Sequence, residues 1–232
     1  MDKMTRRDTL KLLAIVTFGL VACQPPNPPE LTAVDIVSQA SKALKVVKAV
    51  HFKLSSTGGM MSIGTGLVAK TIEGDVVQPD RVKGTAVSTF GKVTVEINFV
   101  VIGTRQLITN PITKQWQALP ATDAAPNLLD PDKGAAFLLA QATNLKKLDN
   151  ETVGGVGCYH LAATIPATLI AGLVGAAGSA SLLTGEIWIA TSDSLPRQIS
   201  MTGPVTTEEP PAIQRVLELS NFNESITIDT PA

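Results

Sequence analysis

Val93-Thr94-Val95-Glu96-Ile97-Asn98-Phe99 alternates apolar and polar side chains without a break. Successive side chains of a strand point to opposite faces, so Val93, Val95, Ile97 and Phe99 share one side while Thr94, Glu96 and Asn98 face water. Strands with one wet face belong to antiparallel sheets, because parallel strands, covered on both faces, read as continuous apolar runs. The full strand is predicted over residues 92–102. Working outward, the same alternation begins at Phe52 and Leu54 around Lys53, and continues in 66–74, 81–89, 105–110 and 115–119. Further on, strands are predicted over 156–165, 184–190 (with Trp188), 197–203, 213–220 and 225–228, about ten or eleven in all.

Three helices interrupt these strands. At Leu31 the period becomes helical: Thr32 can cap, Asp35 follows three residues on, and Leu31 can staple against Ile36. Ile36, Ala40, Ala43, Leu44 and Val47 then line one face, which needs a surface to lie on. Residues 132–145 read as a second helix, with Phe137, Leu138, Leu139 and Ala142 as its apolar part. Residues 167–177 carry Leu169, Ile170, Leu173 and Val174 among alanines and glycines. This segment is apolar nearly all round but too short to span a bilayer, so it is either a core helix or the border of an internal apolar space. Composition alone favours the core. Strands interrupted by helices, with no alternating βαβ units and no internal repeat, give an α+β class.

The N-terminal 30 residues are of another kind. Residues 5–23, TRRDTLKLLAIVTFGLVAC, place a basic segment before a short apolar run that ends in Leu20-Val21-Ala22-Cys23. The run falls short of the about 20 residues that cross a bilayer, so residues 1–22 read as a signal peptide. Leu20 to Cys23 resembles the lipobox of bacterial lipoproteins, which implies cleavage before Cys23 and a diacylglyceryl group on its thiol. Thr5-Arg6-Arg7-Asp8-Thr9-Leu10-Lys11 is similar to the twin-arginine export pattern, departing from it at Thr9, so both the twin-arginine and the general secretory routes stay open. Residues 23–30 comprise the lipidated cysteine and a tether, QPPNPPE, whose prolines favour an extended chain of about 3 Å per residue. The remaining residues, 31–232, suit a single domain.

Composition excludes several classes of function. A net charge of -1 and a pI near 6.1 give no general attraction to nucleic acid. Six phenylalanines, two tryptophans and one tyrosine leave few platforms for stacking sugars or bases. With Cys23 acylated, Cys158 has no partner within the chain and reads as a small buried hydrophobe. His51 and His160 belong to no metal-ligand spacing, and each is expected at a strand tip or in a local hydrogen bond. There is no G-x-S-x-G elbow around Ser179 or Ser181, and Gly175 to Ser179 lacks the lysine of a phosphate loop. Glu208-Glu209 beside Pro210-Pro211 reads as a solvated turn. No catalytic residue, metal or cofactor is assigned, which shifts the weight from enzyme to binding protein.

The chain resembles the mycobacterial envelope lipoproteins of the LppX and LprG type. The resemblance rests on the first helix followed by Val50-His51-Phe52-Lys53-Leu54, on Gly74-Asp75 and Pro79 leading to Val82-Lys83-Gly84, and on Trp116. It runs on through Leu128-Leu129-Asp130-Pro131 with Gly134, through Gly154-Gly155-Val156 with Tyr159-His160-Leu161, and through Leu219-Ser220-Asn221-Phe222-Asn223 with Ile226, Ile228 and Pro231. It implies a strongly bent antiparallel sheet, a half-barrel, whose concave side carries the helices and an apolar cavity. It also implies a lipid-anchored protein on the extracytoplasmic face of the cell membrane. Such a protein would carry an acylated lipid or glycolipid through the envelope, with an envelope transporter as a candidate partner. Given that likeness, 167–177 is expected to line the cavity, with Phe52, Leu54, Val95, Ile97, Phe99, Leu169, Leu173 and Val174 as its walls. Related half-barrels also serve lipoprotein delivery and stress sensing, which leaves a protein-interaction module as the alternative. A lipid hydrolase would need serine, histidine and carboxylate together at the cavity mouth.

Overall fold

The computed structural model describes residues 30–62, 68–90, 93–119, 127–173 and 178–231, with only the backbone described at Phe90, Gly172 and Leu173. The predicted signal peptide, Cys23, all of the tether but Glu30, and Val174 lie outside these residues. Leu31–Ala232 is one compact unit.

Helix α1, Ala33–Lys45, starts as the sequence predicts: the Thr32 hydroxyl accepts from the Asp35 N–H at 3.1 Å, and the Asp35 carboxylate accepts from the Thr32 N–H at 3.1 Å. This reciprocal box satisfies two of the helix's otherwise unpaired donors. The chain then enters a run of strands: β1 Ala49–Thr57, β2 Met61–Ser62, β3 Val68–Ala69, β4 Thr71–Val77, β5 Arg81–Phe90, β6 Val93–Ile102, β7 Arg105–Thr109 and β8 Trp116–Ala118. Helix α2, Ala135–Ala140, precedes β9 Thr143–Lys147, β10 Glu151–Val153 and β11 Val156–Pro166. Helix α3, Ala167–Leu173, precedes β12 Leu182–Ala190, β13 Pro196–Thr202 and β14 Gln214–Ser220.

Twelve of these strands make one antiparallel sheet in the order β10-β11-β12-β13-β14-β1-β4-β5-β6-β7-β8, with β9 also on β11; β2 and β3 form a separate hairpin. The sheet curves without closing, because its outer strands, β10 and β8, do not pair with each other. Two facing glycines show how tightly it bends. A methyl group on Gly74 would stand 2.1 Å from the Lys83 carbonyl oxygen, and one on Gly84 would stand 2.5 Å from the Glu73 carbonyl oxygen. No Cβ fits at such a crossing, which is why glycine occupies both positions.

All three helices pack on one face. Ile36, Val37, Ala40 and Leu44 of α1 and Ala135, Ala136, Leu138 and Leu139 of α2 join Val50, Val76, Val82 and Val101 in one core. Those four valines are successive partners across β1, β4, β5 and β6, so they share a face. The same core takes in Leu217, Ile199, Ile187 and Leu161 of the other half, again successive partners. The Ser41 hydroxyl donates to the Ala136 carbonyl at 2.8 Å and ties α1 to α2.

Three expectations are corrected. The helix predicted over 132–145 is α2 alone; after Gln141 the chain extends, with Asn144 at a φ of 52°, and pairs as β9 along β11. Edge pairing with β11 outweighs helix propensity here, Thr143 and Asn144 being poor helix formers. The strand predicted over 66–74 is broken between β3 and β4. Residues 225–228 form no strand; they are held by other means, with Ile228 buried and its carbonyl accepting from Arg81 Nη1 at 2.6 Å.

Candidate functional site

The register brings the predicted wall residues of β1 and β6 onto the helix-bearing face. Phe52 pairs with Gly74, Gly74 with Gly84, and Gly84 with Phe99, so one row across four strands puts two phenylalanines on either side of two glycines. The next row is Leu54, Ile72, Ala86 and Ile97, and beyond it Val95 faces Ser88. A side chain at Gly84 would strike the Phe99 ring at 2.7 Å, so the ring lies across the bend. Leu169 packs against the main core from α3, beside the buried Ile170. Leu173 ends α3.

These walls are not equally covered. The row that shares the core with α1 and α2, Val50, Val76, Val82 and Val101, is buried. Phe52, Leu54, Phe99 and Leu169 are only partly buried, although they pack against the core, as are Val95, Ile72 and Ile108. Ile72 and Ile108 share this face because they pair with Leu54 and Phe99. Reading β6 and β1 alone does not point to either. Ile108 sits in a five-residue strand too short to show a period, and Ile72 is followed on its own face by a glycine.

One end of this face carries a long, internally braced loop. At the α3 end the loop 203–213 folds over the sheet around a buried ion pair, Glu209 with Arg215. Arg215 also donates to the Gly203 carbonyl at 2.8 Å, while the Glu209 carboxylate accepts from the N–H groups of Val205 at 2.6 Å, Thr206 at 3.2 Å and Ser62 at 3.0 Å. Burial, the largest single influence on Glu209, pushes its carboxyl up. The Arg215 hydrogen bond, the Ser62 and Val205 N–H groups and the Arg215 charge together outweigh it and hold the carboxyl below its usual range. Glu208-Glu209 is therefore not the solvated turn expected from its prolines: Glu208 is exposed, but Glu209 is buried. Arg215 points from β14 into the helix-bearing face and needs a counter-charge there. The Ser179 hydroxyl and N–H donate to Pro204 and Val205 carbonyls, both at 2.8 Å, tying the chain after α3 to the same loop.

The opposite face of the sheet holds an open groove of about 620 Å³, lined by His51, Glu73, Asp75, Lys83, Glu96 and Trp116 among others. Its charges largely satisfy one another. His51 Nδ1 lies 2.8 Å from Asp75 and Nε2 3.5 Å from Glu73; Lys83 lies 3.6 Å from Asp75, and Lys53 3.3 Å from Glu73. His160 also lies on this face, stacked on Trp188 with ring centroids 4.4 Å apart and flanked by Glu151 and Glu186. Both histidines thus sit within strands and face carboxylates, not serine hydroxyls, and neither is on the helix-bearing side where an acyl substrate would lie. Cys158 is fully buried beside Trp188 and Ala190, as expected for a small apolar residue, and burial raises its thiol pKa. Among the described residues no group of three or more His, Cys, Asp or Glu is placed to hold a metal ion, and no helix is long and apolar enough to cross a membrane.

A one-sided, unclosed antiparallel sheet with helices on a single apolar face defines a half-barrel, and comparison with known proteins assigns it. The LppX_LprAFG lipoprotein family matches residues 32–228, and the chain belongs to that family. It is 27% identical over 242 aligned residues to the lipoarabinomannan carrier protein LprG of Mycobacteroides abscessus, covering 99% of this chain and 100% of that protein. The LprG of Mycobacterium leprae is 26% identical over 202 residues, 84% of this chain and 80% of its own length. Among solved structures, LprF from Mycobacterium bovis superposes with a TM-score of 0.68 at 20% identity, over 86% of this chain and 97% of that one. Mycobacterium tuberculosis LppX gives 0.63 at 22% identity, over 85% and 98%. At such identities the structures establish the shared fold.

Proposed function

We propose that this protein is a membrane-anchored lipoprotein, acylated at Cys23, that holds the acyl chains of a lipid or glycolipid against the helix-bearing face and carries them within the cell envelope. The observation that carries this reading is the incomplete burial of Phe52, Leu54 and Phe99 on the face where the core lies. A finished core would cover them; an acyl chain would do so instead. Each CH₂ moved from water gains about 0.8 kcal/mol, so about twelve of them would gain about 10 kcal/mol before the cost of ordering the chain. Contacts of this kind are non-directional and need no catalytic group. Leu173 and Val174 are assigned to the same wall by the family likeness. The relatives named lipoarabinomannan carrier proteins support a lipid or glycolipid cargo, and we place the protein on the extracytoplasmic side of the membrane.

Native mass spectrometry of the 31–232 unit tests the proposal, with a bound lipid or uptake of a fluorescent fatty acid as the expected result. A unit that is consistently empty and ignores the fatty acid would refute it. Leu54→Trp discriminates further: it should fill part of an open space and reduce uptake with little loss of stability. In a packed core the same change would cost about 1 to 3 kcal/mol.

A further inference from the structure

The two ends of the half-barrel differ in charge and in exposed apolar surface. Thr57, Gln214, Thr202 and Thr184 are successive partners across β1, β14, β13 and β12, so they mark one end of the sheet. Leu182 lies just beyond Thr184, and across β1 the same end continues through Thr71 to the β5–β6 turn at Val93. Val68 reaches it too, since its carbonyl accepts from the Ser88 hydroxyl. The β7–β8 turn points the same way, with Lys114 Nζ 3.2 Å from the Glu96 carbonyl.

Among the described residues, four of the six exposed large aliphatic ones belong to this end: Val68 is 36% exposed, Val93 62%, Leu182 67% and Ile112 89%. The other two are Val34, in the first turn of α1, and Val46, its C-cap. Among the described residues, the loops here carry exposed charge only at Lys70, Lys114 and Glu208, because Glu209 is buried against Arg215. The chain from 166 to 182 has no charged residue at all. The far end is the reverse, with Asp80, Asp132, Asp193 and Glu224 exposed in its turns and Arg105 exposed at the start of β7.

We infer that this sparsely charged, aliphatic end is a docking rim for a lipid bilayer, with Val93, Ile112 and Leu182 entering the interface and Lys70 and Lys114 meeting anionic headgroups. Aliphatic tips on an end with almost no charge are matched to hydrocarbon, whereas the far end would have to strip water from its carboxylates to approach it. The inference rests on the carrier reading and adds to it the place where cargo passes. An acyl chain that leaves the protein through water exposes every CH₂, and a rim seated in the interface removes that step.

The test uses the 31–232 unit, which holds its own core and lacks any anchor. Its sedimentation with mixed phosphatidylcholine–phosphatidylglycerol vesicles is compared for the parent, for Val93→Asp/Ile112→Asp/Leu182→Asp, and for Val46→Asp at the other end of the molecule. All four sites are exposed, and an unchanged thermal midpoint checks that each variant folds. The triple variant should bind about tenfold or more weakly, and V46D as the parent does. Loading from vesicles should fall with binding, while loading from monomeric lysophosphatidylcholine should not. A parent that ignores vesicles, a triple variant that binds as well as the parent, or an equal loss in V46D would overturn the rim. Failure of the parent to load from either source would instead overturn the carrier reading, and the vesicle sedimentation would still report on the rim.

Discussion

Glu209→Gln should be among the most damaging single-atom changes in the domain. The amide keeps the shape, but its single oxygen replaces only one of the two carboxylate oxygens, so its NH2 must face either the Ser62 N–H or the Val205 and Thr206 N–H groups, and the charge that faces buried Arg215 is gone. Arg215 then keeps its bond to the Gly203 carbonyl but has no anion beside it. Breaking a buried pair while leaving the other charge in place costs about 3 to 5 kcal/mol, chiefly as uncompensated burial. For a domain of this size each kcal/mol lowers the melting midpoint by about 2–4 °C, so the drop should be about 6–20 °C. Urea unfolding is the assay, with an unchanged m-value showing that the folded state is equally compact. Glu209→Gln/Arg215→Met should recover part of the loss, because it removes the orphaned cation as well. The pH dependence has a definite sign. The folded carboxyl lies below its ordinary value, so its contribution is fully present above the unfolded pKa of about 4.3 and is lost as pH falls through the lowered folded value. The gap between parent and E209Q should therefore close in acid. A loss under about 1 kcal/mol at neutral pH, or no rescue by the double variant, would refute the account of this pair as a buried clasp.

Gly84→Ala should cost about 2–3 kcal/mol in urea unfolding, since its methyl would meet the Glu73 carbonyl at 2.5 Å and the Phe99 ring at 2.7 Å; a neutral outcome would mean that the bend is looser than described. Ser41→Ala should lose about 1 kcal/mol with the bond to Ala136, detectable as a lower urea midpoint. Thr32→Ala should cost about 1 kcal/mol through the capping box, and Thr32→Ser much less. Cys158, fully buried and with a raised thiol pKa, should resist iodoacetamide in the native protein and react once urea unfolds it, as read by intact mass.

The alternation in Val93 to Phe99 and the capping box at Thr32 and Asp35 are local signals, and both were legible because period and capping depend on residues within one turn or one pleat. The one-sidedness of the sheet followed from the same alternation. Where local preferences competed with long-range pairing, they lost: Thr143–Lys147 became an edge strand on β11 and not the end of a helix.

Three matters were decided only by tertiary structure. The pairing of Gly74 with Gly84 between Phe52 and Phe99 comes from the register of four strands, and no single strand contains it. Glu209 looks like turn chemistry until β14, turning inward after the loop, sets Arg215 opposite it, because a counter-ion is recognised by position in space. The gathering of Val93, Ile112 and Leu182 at one end depends on strand direction, which alternates along the sheet and brings loops far apart in sequence to a common edge. By itself the sequence determined that the sheet has an apolar face and that a helix would cover it. The fold decided how sharply that face bends, which of its residues stay partly open, and which end gathers the exposed aliphatic residues, since each of these is set by neighbours dozens of residues away.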